Sequence, residues 1–407
     1  MKLLFNVAPL LPPKTGVGYY TENLIRELSM LDENVKVVGW FKDRLYNSQQ
    51  MLSLVEDKEE ELTAGIGAKK ISRKIVENIS NLSFLSGAIA WLNYRRSYGS
   101  SEKILGKCSK EGFLYHETNF VLAPFEGTKI VTVHDLSHER FPEHQKLETV
   151  ALLKQRMKIG LQRVTHIIAD SHFTKQEIIE LYHIDPDKIS VVLLGVSSAF
   201  APLQKENAEA TLSNLGLSFK QYVLSVCTLQ PRKNLLRLVN AYSRLPSSVR
   251  RSMPLVLAGI PGWNNAELFD VIGPMIDRKE VYLLGYIPQD ILVQLYAGAT
   301  IFAYPSLYEG FGLPILEAMA SGTPVLTSNN SSIPEVAAGA AIEVDPYSTD
   351  DILQGLDRLV TDAKLRSSLV ERGMERAKFL TWRRTAQETL AVYNKVLEQR
   401  GKDESLT

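Results

Sequence analysis

Cysteine is nearly missing from this chain. Cys108 and Cys227 stand alone, without the spacing of a metal site or a redox motif, which excludes a disulfide scaffold and fits a reducing cytosol. No apolar run approaches the roughly 18 residues that a membrane span requires. Neither charge sign dominates: Lys+Arg and Asp+Glu both total 46, so no global basic field argues for nucleic acid. Tandem repeats and low-complexity segments are absent as well. The opening MKLLFNVAPLLPP has one lysine, no small-residue cleavage site and two prolines where an apolar segment would end, so a first β-strand is expected there rather than a secretion signal. These absences leave a soluble or membrane-peripheral protein, long enough at 407 residues for two domains with sizeable cores.

What is present is alternation. Short apolar runs trade places with amphipathic segments, the pattern of parallel α/β layers. Strands are expected at Leu3–Ala8, Val35–Trp40, Phe113–His116, Ile130–Val133, His166–Ala169 and Ile189–Leu193. Helices are expected at Val17–Leu31, Thr149–Arg163 and Thr174–Leu181, and looser polar helices from about Gln49 to Gly99. Gly195 to about Lys220 reads as an interdomain link, and a fresh series follows. Its strands are Tyr222–Val226, Leu255–Ala258, Val281–Leu284, Thr300–Tyr304, Val325–Thr327 and Ala341–Val344. Two doubly wound domains in series are expected, 1–200 and 201–381, with a ligand in the cleft at the carboxyl ends of their strands.

The densest of the strand ends is YPSLYEGFGLPILEAMASGTP, Tyr304–Pro324. Pro314 suits the first position of a helix, where its missing N–H would have no partner. The amides of Phe311, Gly312 and Leu313 are then expected at a helix N-terminus, with no side chain on Gly310 or Gly312 to keep an anion away. Glu309 and Glu317 would repel a phosphate unless they accept hydrogen bonds from hydroxyls. A ligand with both features, a diphosphate and several hydroxyls, is a sugar nucleotide.

Other strand ends carry weaker signals. Lys14-Thr15-Gly16-Val17-Gly18 joins a strand to a helix without the third glycine of a dinucleotide fingerprint, so a plain tight turn fits it equally. Thr132-Val133-His134-Asp135-Leu136 ends a strand with a polar pair, in which Asp135 either orients the histidine or caps the next turn. In Cys227-Thr228-Leu229-Gln230-Pro231-Arg232-Lys233-Asn234, adjacent cations precede a helix. Leu284-Gly285-Tyr286-Ile287-Pro288 is most simply a turn. Asp185-Pro186-Asp187 comes just before a strand, at the end of the sheet away from the expected site, so no metal site is read there.

The E-x7-E spacing of Glu309 and Glu317, with GFG after the first, resembles the element of retaining GT-B glycosyltransferases, in particular glycosyltransferase family 4. VHDLSHERFPEH and CTLQPRKN are similar to two further family elements, and the resemblance spans nearly all of the second domain and reaches the first through 14–18, 130–144 and 166–178. It implies a GT-B fold whose C-terminal helix, 382–400, crosses back to the first domain. It also implies that His134 contacts the transferred sugar, that Arg232 and Lys233 bind the diphosphate, that Glu309 holds sugar hydroxyls and that Glu317 holds the ribose. Gly16, Gly18, Thr228, Gly310, Phe311, Gly312 and Leu313 would line the donor, and Tyr286 and Ile287 would hold the base. Many relatives carry an arginine where this chain has Cys227 and Thr228, which leaves that task to Arg232.

The family reading is a retaining, metal-independent hexosyltransferase without a cofactor. The three elements together look most like GDP-mannose-using enzymes that build polysaccharides, acting on a glycan or lipid-linked saccharide. A UDP-sugar donor, a sugar-nucleotide 2-epimerase and a non-catalytic carbohydrate-binding protein are the rival readings. The basic and aromatic cluster from Lys69 to Tyr98 fits either a solvated helix face or contact with an anionic membrane, at the cytoplasmic side.

Overall fold

The structure, a computed structural model, describes residues 1–11, 15–53, 101–144, 147–262 and 265–405. The cluster between Lys69 and Tyr98 lies outside them, as does Lys14. The chain divides into two compact units, Met1–Gly195 with Trp382–Thr407, and Val196–Thr381. The division falls slightly before the expected residue 200, because Val196 already pairs with Thr381 and donates its N–H to the Leu380 carbonyl.

In the first unit, strands β1 (Lys2–Asn6), β2 (Lys36–Phe41), β3 (Arg44–Asn47), β4 (Leu114–Glu117), β5 (Lys129–Val133), β6 (His166–Ala169) and β7 (Ile189–Val191) form one sheet in the order β3-β2-β1-β4-β5-β6-β7. All neighbours are parallel except β2 and β3. The sequence reading missed β3: it is short, mostly exposed, and lacks the apolar run of a strand buried on both faces. By contrast β4 and β6 are buried throughout, with helices packed beside the sheet. The helix Leu147–Arg163 seats Met157 and Leu161 against Val131 and Ile167, as its period predicts.

The C-terminal helix Trp382–Ser405 belongs to this first unit. Tyr393 is fully buried, its hydroxyl 2.6 Å from Nδ1 of His116, and Thr385 donates to the Leu193 carbonyl at 2.8 Å.

The second unit carries β8 (Val223–Val226), β9 (Leu255–Ala258), β10 (Val281–Gly285), β11 (Ile301–Tyr304), β12 (Val325–Ser328) and β13 (Ile342–Val344) in the order β10-β9-β8-β11-β12-β13, all parallel. Its core joins Val223, Leu257, Ile301 and Leu326 of the strands to Leu238, Ile352 and Leu356 of the helices. The expected link to residue 220 is corrected here. Lys205–Asn214 is a helix, and its Ala208 and Leu212, one turn apart, are buried. Leu212 would touch a Cβ placed on Gly298, so the segment is part of the second unit's packing.

Candidate active site

In the second sheet, the chain winds from β8 to β9 and β10 on one side and returns to β11 on the other. That reversal leaves the segments after β8 and β11 side by side, where doubly wound sheets hold ligands. The PRKN element and the YPSLYEGFG element are these two segments, and they interlock. Pro231–Lys233 forms a 3₁₀ turn closed by Asn234 in the left-handed region, φ 60°. The Asn234 amide donates to the carbonyls of Pro305 (2.9 Å) and Pro346 (2.7 Å). In return, the Leu307 N–H donates to the Arg232 carbonyl at 2.8 Å.

Two glycines let the neighbouring loop lie flat on this element. Gly259, at φ 143°, would set a Cβ only 1.8 Å from the Cys227 carbonyl oxygen, and a Cβ on Gly262 would lie 2.3 Å from the Leu229 carbonyl oxygen.

The two cations do not form a solvated surface pair. Lys233 Nζ donates to Glu309 Oε1 at 2.6 Å and to the Tyr304 hydroxyl at 2.8 Å, with the tyrosine ring 5.3 Å beneath it. Arg232 Nη1 donates to the Tyr308 carbonyl at 2.6 Å and to Glu309 Oε2 at 3.2 Å. Ser306 and Tyr304 add hydroxyl donors to Glu309 Oε1, at 2.6 and 2.8 Å. Burial alone would raise the Glu309 pKa. Lys233 and Arg232 overcome it and hold the carboxyl down at about 2. Burial also lowers the Lys233 pKa, helped by Arg232 and opposed by Glu309. Glu309, expected to hold sugar hydroxyls, thus has both oxygens already engaged.

Beyond it, Gly312 at φ 111° caps the helix Leu313–Ala320. Pro314 is the second helical residue rather than the first, a shift of one position at a helix boundary. Ser331 and Ser332 brace the loop from below: Ser331 Oγ accepts from the Glu309 N–H at 3.1 Å, and Ser332 Oγ donates to the Phe311 carbonyl at 3.0 Å. Gly310 and Phe311 are buried with Gly312. Burial raises the Glu317 pKa to about 7, and the neighbouring Tyr296 hydroxyl acts against that rise. Thr228 and Ile287 are partly buried at the same end of the sheet, where Tyr286 is 38% exposed.

The first unit gathers a second set. Gly16 is exposed at the start of the helix Gly16–Leu31, and Gly18 is buried within its first turn. His134, at the end of β5, places Nδ1 2.6 Å from Asp170 Oδ2 and Nε2 2.9 Å from the Thr118 carbonyl oxygen. Asp135 is not the orienting carboxylate; it caps the following turn by accepting the Ser137 N–H at 2.9 Å. Burial favours the neutral imidazole, but Asp170 outweighs it and the His134 pKa is raised. Asp185 likewise serves its own turn, accepting the Asp187 N–H at 2.9 Å.

Sequence reasoning did not single out Asp170, Thr118, Tyr296, Tyr304, Ser306 or the serines after β12. Position at a strand end was the signal for most of them, whereas Tyr296 lies inside the helix Gln289–Gly298 and carries no such mark. Among the described residues, no group of acidic, histidine and cysteine side chains could hold a metal ion, and no helix is long and apolar enough to cross a membrane.

Comparison with known proteins agrees with this arrangement. Residues 213–376 match the family described as "Glycosyl transferases group 1", and residues 122–200 match "Glycosyltransferase Family 4". The chain is 30% identical over 393 residues to the O-antigen chain mannosyltransferase B of Escherichia coli, covering 97% of this chain and 99% of the relative. Sucrose-phosphate synthase from Thermosynechococcus elongatus superposes with a TM-score of 0.70 at 17% identity, over 98% of this chain and 100% of that one. WaaG, a glycosyltransferase involved in lipopolysaccharide biosynthesis, does so with a TM-score of 0.66 at 15% identity, over 96% and 99%. The two parallel-sheet units, the interlocked strand-end elements and these likenesses together show that the chain is a glycosyltransferase with the GT-B fold, and that it belongs to glycosyltransferase family 4.

Proposed function

We propose that this protein is a retaining, metal-independent hexosyltransferase that moves mannose from GDP-mannose onto a glycan or lipid-linked saccharide acceptor. The observation that carries the reading is the cation pair Arg232 and Lys233, held largely buried beside the glycine-capped helix Leu313–Ala320. A leaving diphosphate gains charge as the glycosidic bond breaks. Two preorganised cations and helix-terminal amides stabilise that charge most in a water-poor site. The name of the Escherichia coli relative supports mannose as the transferred sugar.

In this mechanism the acceptor hydroxyl attacks the anomeric carbon on the face the diphosphate leaves. The bond to the diphosphate oxygen breaks, a bond to the acceptor oxygen forms, and the departing oxygen takes the acceptor's proton. Glu309 exchanges a cation for sugar hydroxyls, Glu317 holds the ribose, and His134 offers a hydrogen bond to the sugar.

A thermal-shift screen of GDP, UDP, ADP and their sugar conjugates tests the donor, since a ligand that binds only the folded state raises Tm. Stabilisation by GDP and GDP-mannose alone is expected. A preference for UDP overturns the donor assignment. Proton NMR of the product's anomeric signal, with chelator present, reads the stereochemistry and the metal requirement. Turnover of the sugar nucleotide without any acceptor would reveal an epimerase instead.

A further inference from the structure

We propose that Asp170, at the end of β6, is a positioning residue for His134, its carboxylate and the Thr118 carbonyl together holding the imidazole as a hydrogen-bond donor at both nitrogens. The inference rests on the reading of His134 as a sugar contact and adds how that contact is prepared.

The geometry begins with strand register. β5 and β6 are parallel neighbours with Val133 opposite Ala169, so the next residue of each strand, His134 and Asp170, emerges at the same edge of the sheet. The Thr118 carbonyl oxygen can only accept, so Nε2, 2.9 Å away, carries a hydrogen. Asp170 Oδ2, 2.6 Å from Nδ1, takes the hydrogen on the other side. A ring donating at both nitrogens is not available as a general base.

The walls of the site agree with this assignment. The Tyr20 ring meets the imidazole edge-on at 4.8 Å, and Phe120 does so at 6.1 Å. Among the described residues, four titratable groups face His134. Asp170 comes from the end of β6 and Asp135 from the histidine's own segment. His116 of β4 is held neutral by burial, its pKa lowered to about 3, and Tyr20 comes from the helix Gly16–Leu31 with its phenol pKa raised by burial. The charged neighbours are therefore both carboxylates. Only Asp170 reaches the ring, because Asp135 is taken by the Ser137 N–H.

Asp170 is 1% exposed, and its Oδ1 has no hydrogen-bond donor among the described residues. Burial raises the Asp170 pKa against the pull of His134, and a carboxylate buried so deeply keeps its charge only when a cation sits beside it. His134, with 13% of its side chain exposed, is the part of the pair that a ligand can reach. A sugar hydroxyl or phosphate oxygen that accepts the Nε2 hydrogen bond in place of the Thr118 carbonyl replaces one acceptor by another, and the ring keeps both its protons.

The test follows the imidazole itself. In the full chain, the His134 Cε1–H resonance, assigned by its loss in His134→Gln, is titrated by NMR in the wild type and in Asp170→Asn. The wild-type midpoint is expected above the ordinary 6.5, and Asp170→Asn is expected to lower it by about one pH unit or more. The alkaline limb of kcat should move the same way, with KM for the donor changing less, and Asp170→Glu should recover part of the shift. A wild-type midpoint below 6.5, or one unchanged in Asp170→Asn, overturns the proposal. The first of these outcomes is decisive even if the variant does not fold. If the midpoints shift as expected but no sugar is transferred, the positioning stands and the functional reading fails.

Discussion

The ammonium of Lys233 lies 2.6 Å from Oε1 of Glu309, 76 residues further along the chain. With Arg232 on the other oxygen, the carboxylate occupies the pair of cations that a diphosphate would need. On the proposed function, a diphosphate donor would have to displace Glu309, freeing it to accept hydrogen bonds from sugar hydroxyls.

Glu309→Gln removes that competitor. Free GDP should bind the variant more tightly, on the order of tenfold, equivalent to ~1.4 kcal/mol. Turnover should fall by roughly 10²–10³, the range for losing one preorganised electrostatic contact. Calorimetric titration with GDP alongside an initial-rate assay checks both, and weaker GDP binding would rule out the competition.

Lys233→Met should cost both catalysis and stability. Breaking a buried ion pair from one side costs about 3–5 kcal/mol, because the remaining charge loses its compensation. Here Arg232, Ser306 and Tyr304 still bond Glu309, so the lower end is expected. The double variant Lys233→Met/Glu309→Gln should be more stable than the sum of its single changes predicts. Urea denaturation of all four proteins measures the coupling, and strict additivity would deny it.

Two glycines should behave in opposite ways. Gly259→Ala forces a Cβ to 1.8 Å from the Cys227 carbonyl oxygen at a φ of 143°, where only backbone could yield. A loss of about 4 kcal/mol or more is expected, at the extreme of single substitutions. Gly16→Ala meets nothing within 4 Å at a helix start, so stability should hold or rise by a few tenths, up to about 1 kcal/mol. Should its KM for the donor nonetheless rise, the exposed backbone at Gly16 contacts the ligand. An unchanged KM would argue for a plain turn.

Glu317 and Glu309 should leave opposite marks on stability against pH. Burial raises Glu317 from 4.5 to about 7, so the folded protein keeps a proton that the unfolded chain releases. Its contribution is present below the unfolded value and is lost as pH rises from about 4.5 to about 7. Glu309, depressed to about 2 by its cations, contributes stability above about 4.5 and loses it as pH falls toward 2. The Tm of Glu317→Gln relative to wild type should therefore climb between pH 4.5 and 7. A flat difference across that window would show that the carboxyl titrates normally.

Much of the architecture was legible from local pattern. Apolar runs of four residues mark β9 and β11, because a parallel strand covered on both faces has no polar side to show. Gly312, Asn234 and the prolines 231 and 314 mark turns and helix starts through backbone restrictions that each residue carries on its own. The E-x7-E spacing, the PRKN element and His134 likewise fall at strand ends, where parallel sheets collect their loops at one edge.

Spacing does not reveal which side chains meet. Asp170 lies 36 residues from His134, and nothing local prefers it to Asp135; the pairing exists because β5 and β6 are neighbours in register. Glu309 was expected to await a sugar, yet it neutralises cations delivered by β8, because the sheet reverses direction between β8 and β11. The helix Lys205–Asn214 was read as a link, for its two buried residues matter only once Gly298 is there to receive them. The chain alone determined most of the elements, their order and the residues able to carry charge. Strand order and burial, which exist only in the folded protein, decided which charges are paired and which titrate away from their ordinary values.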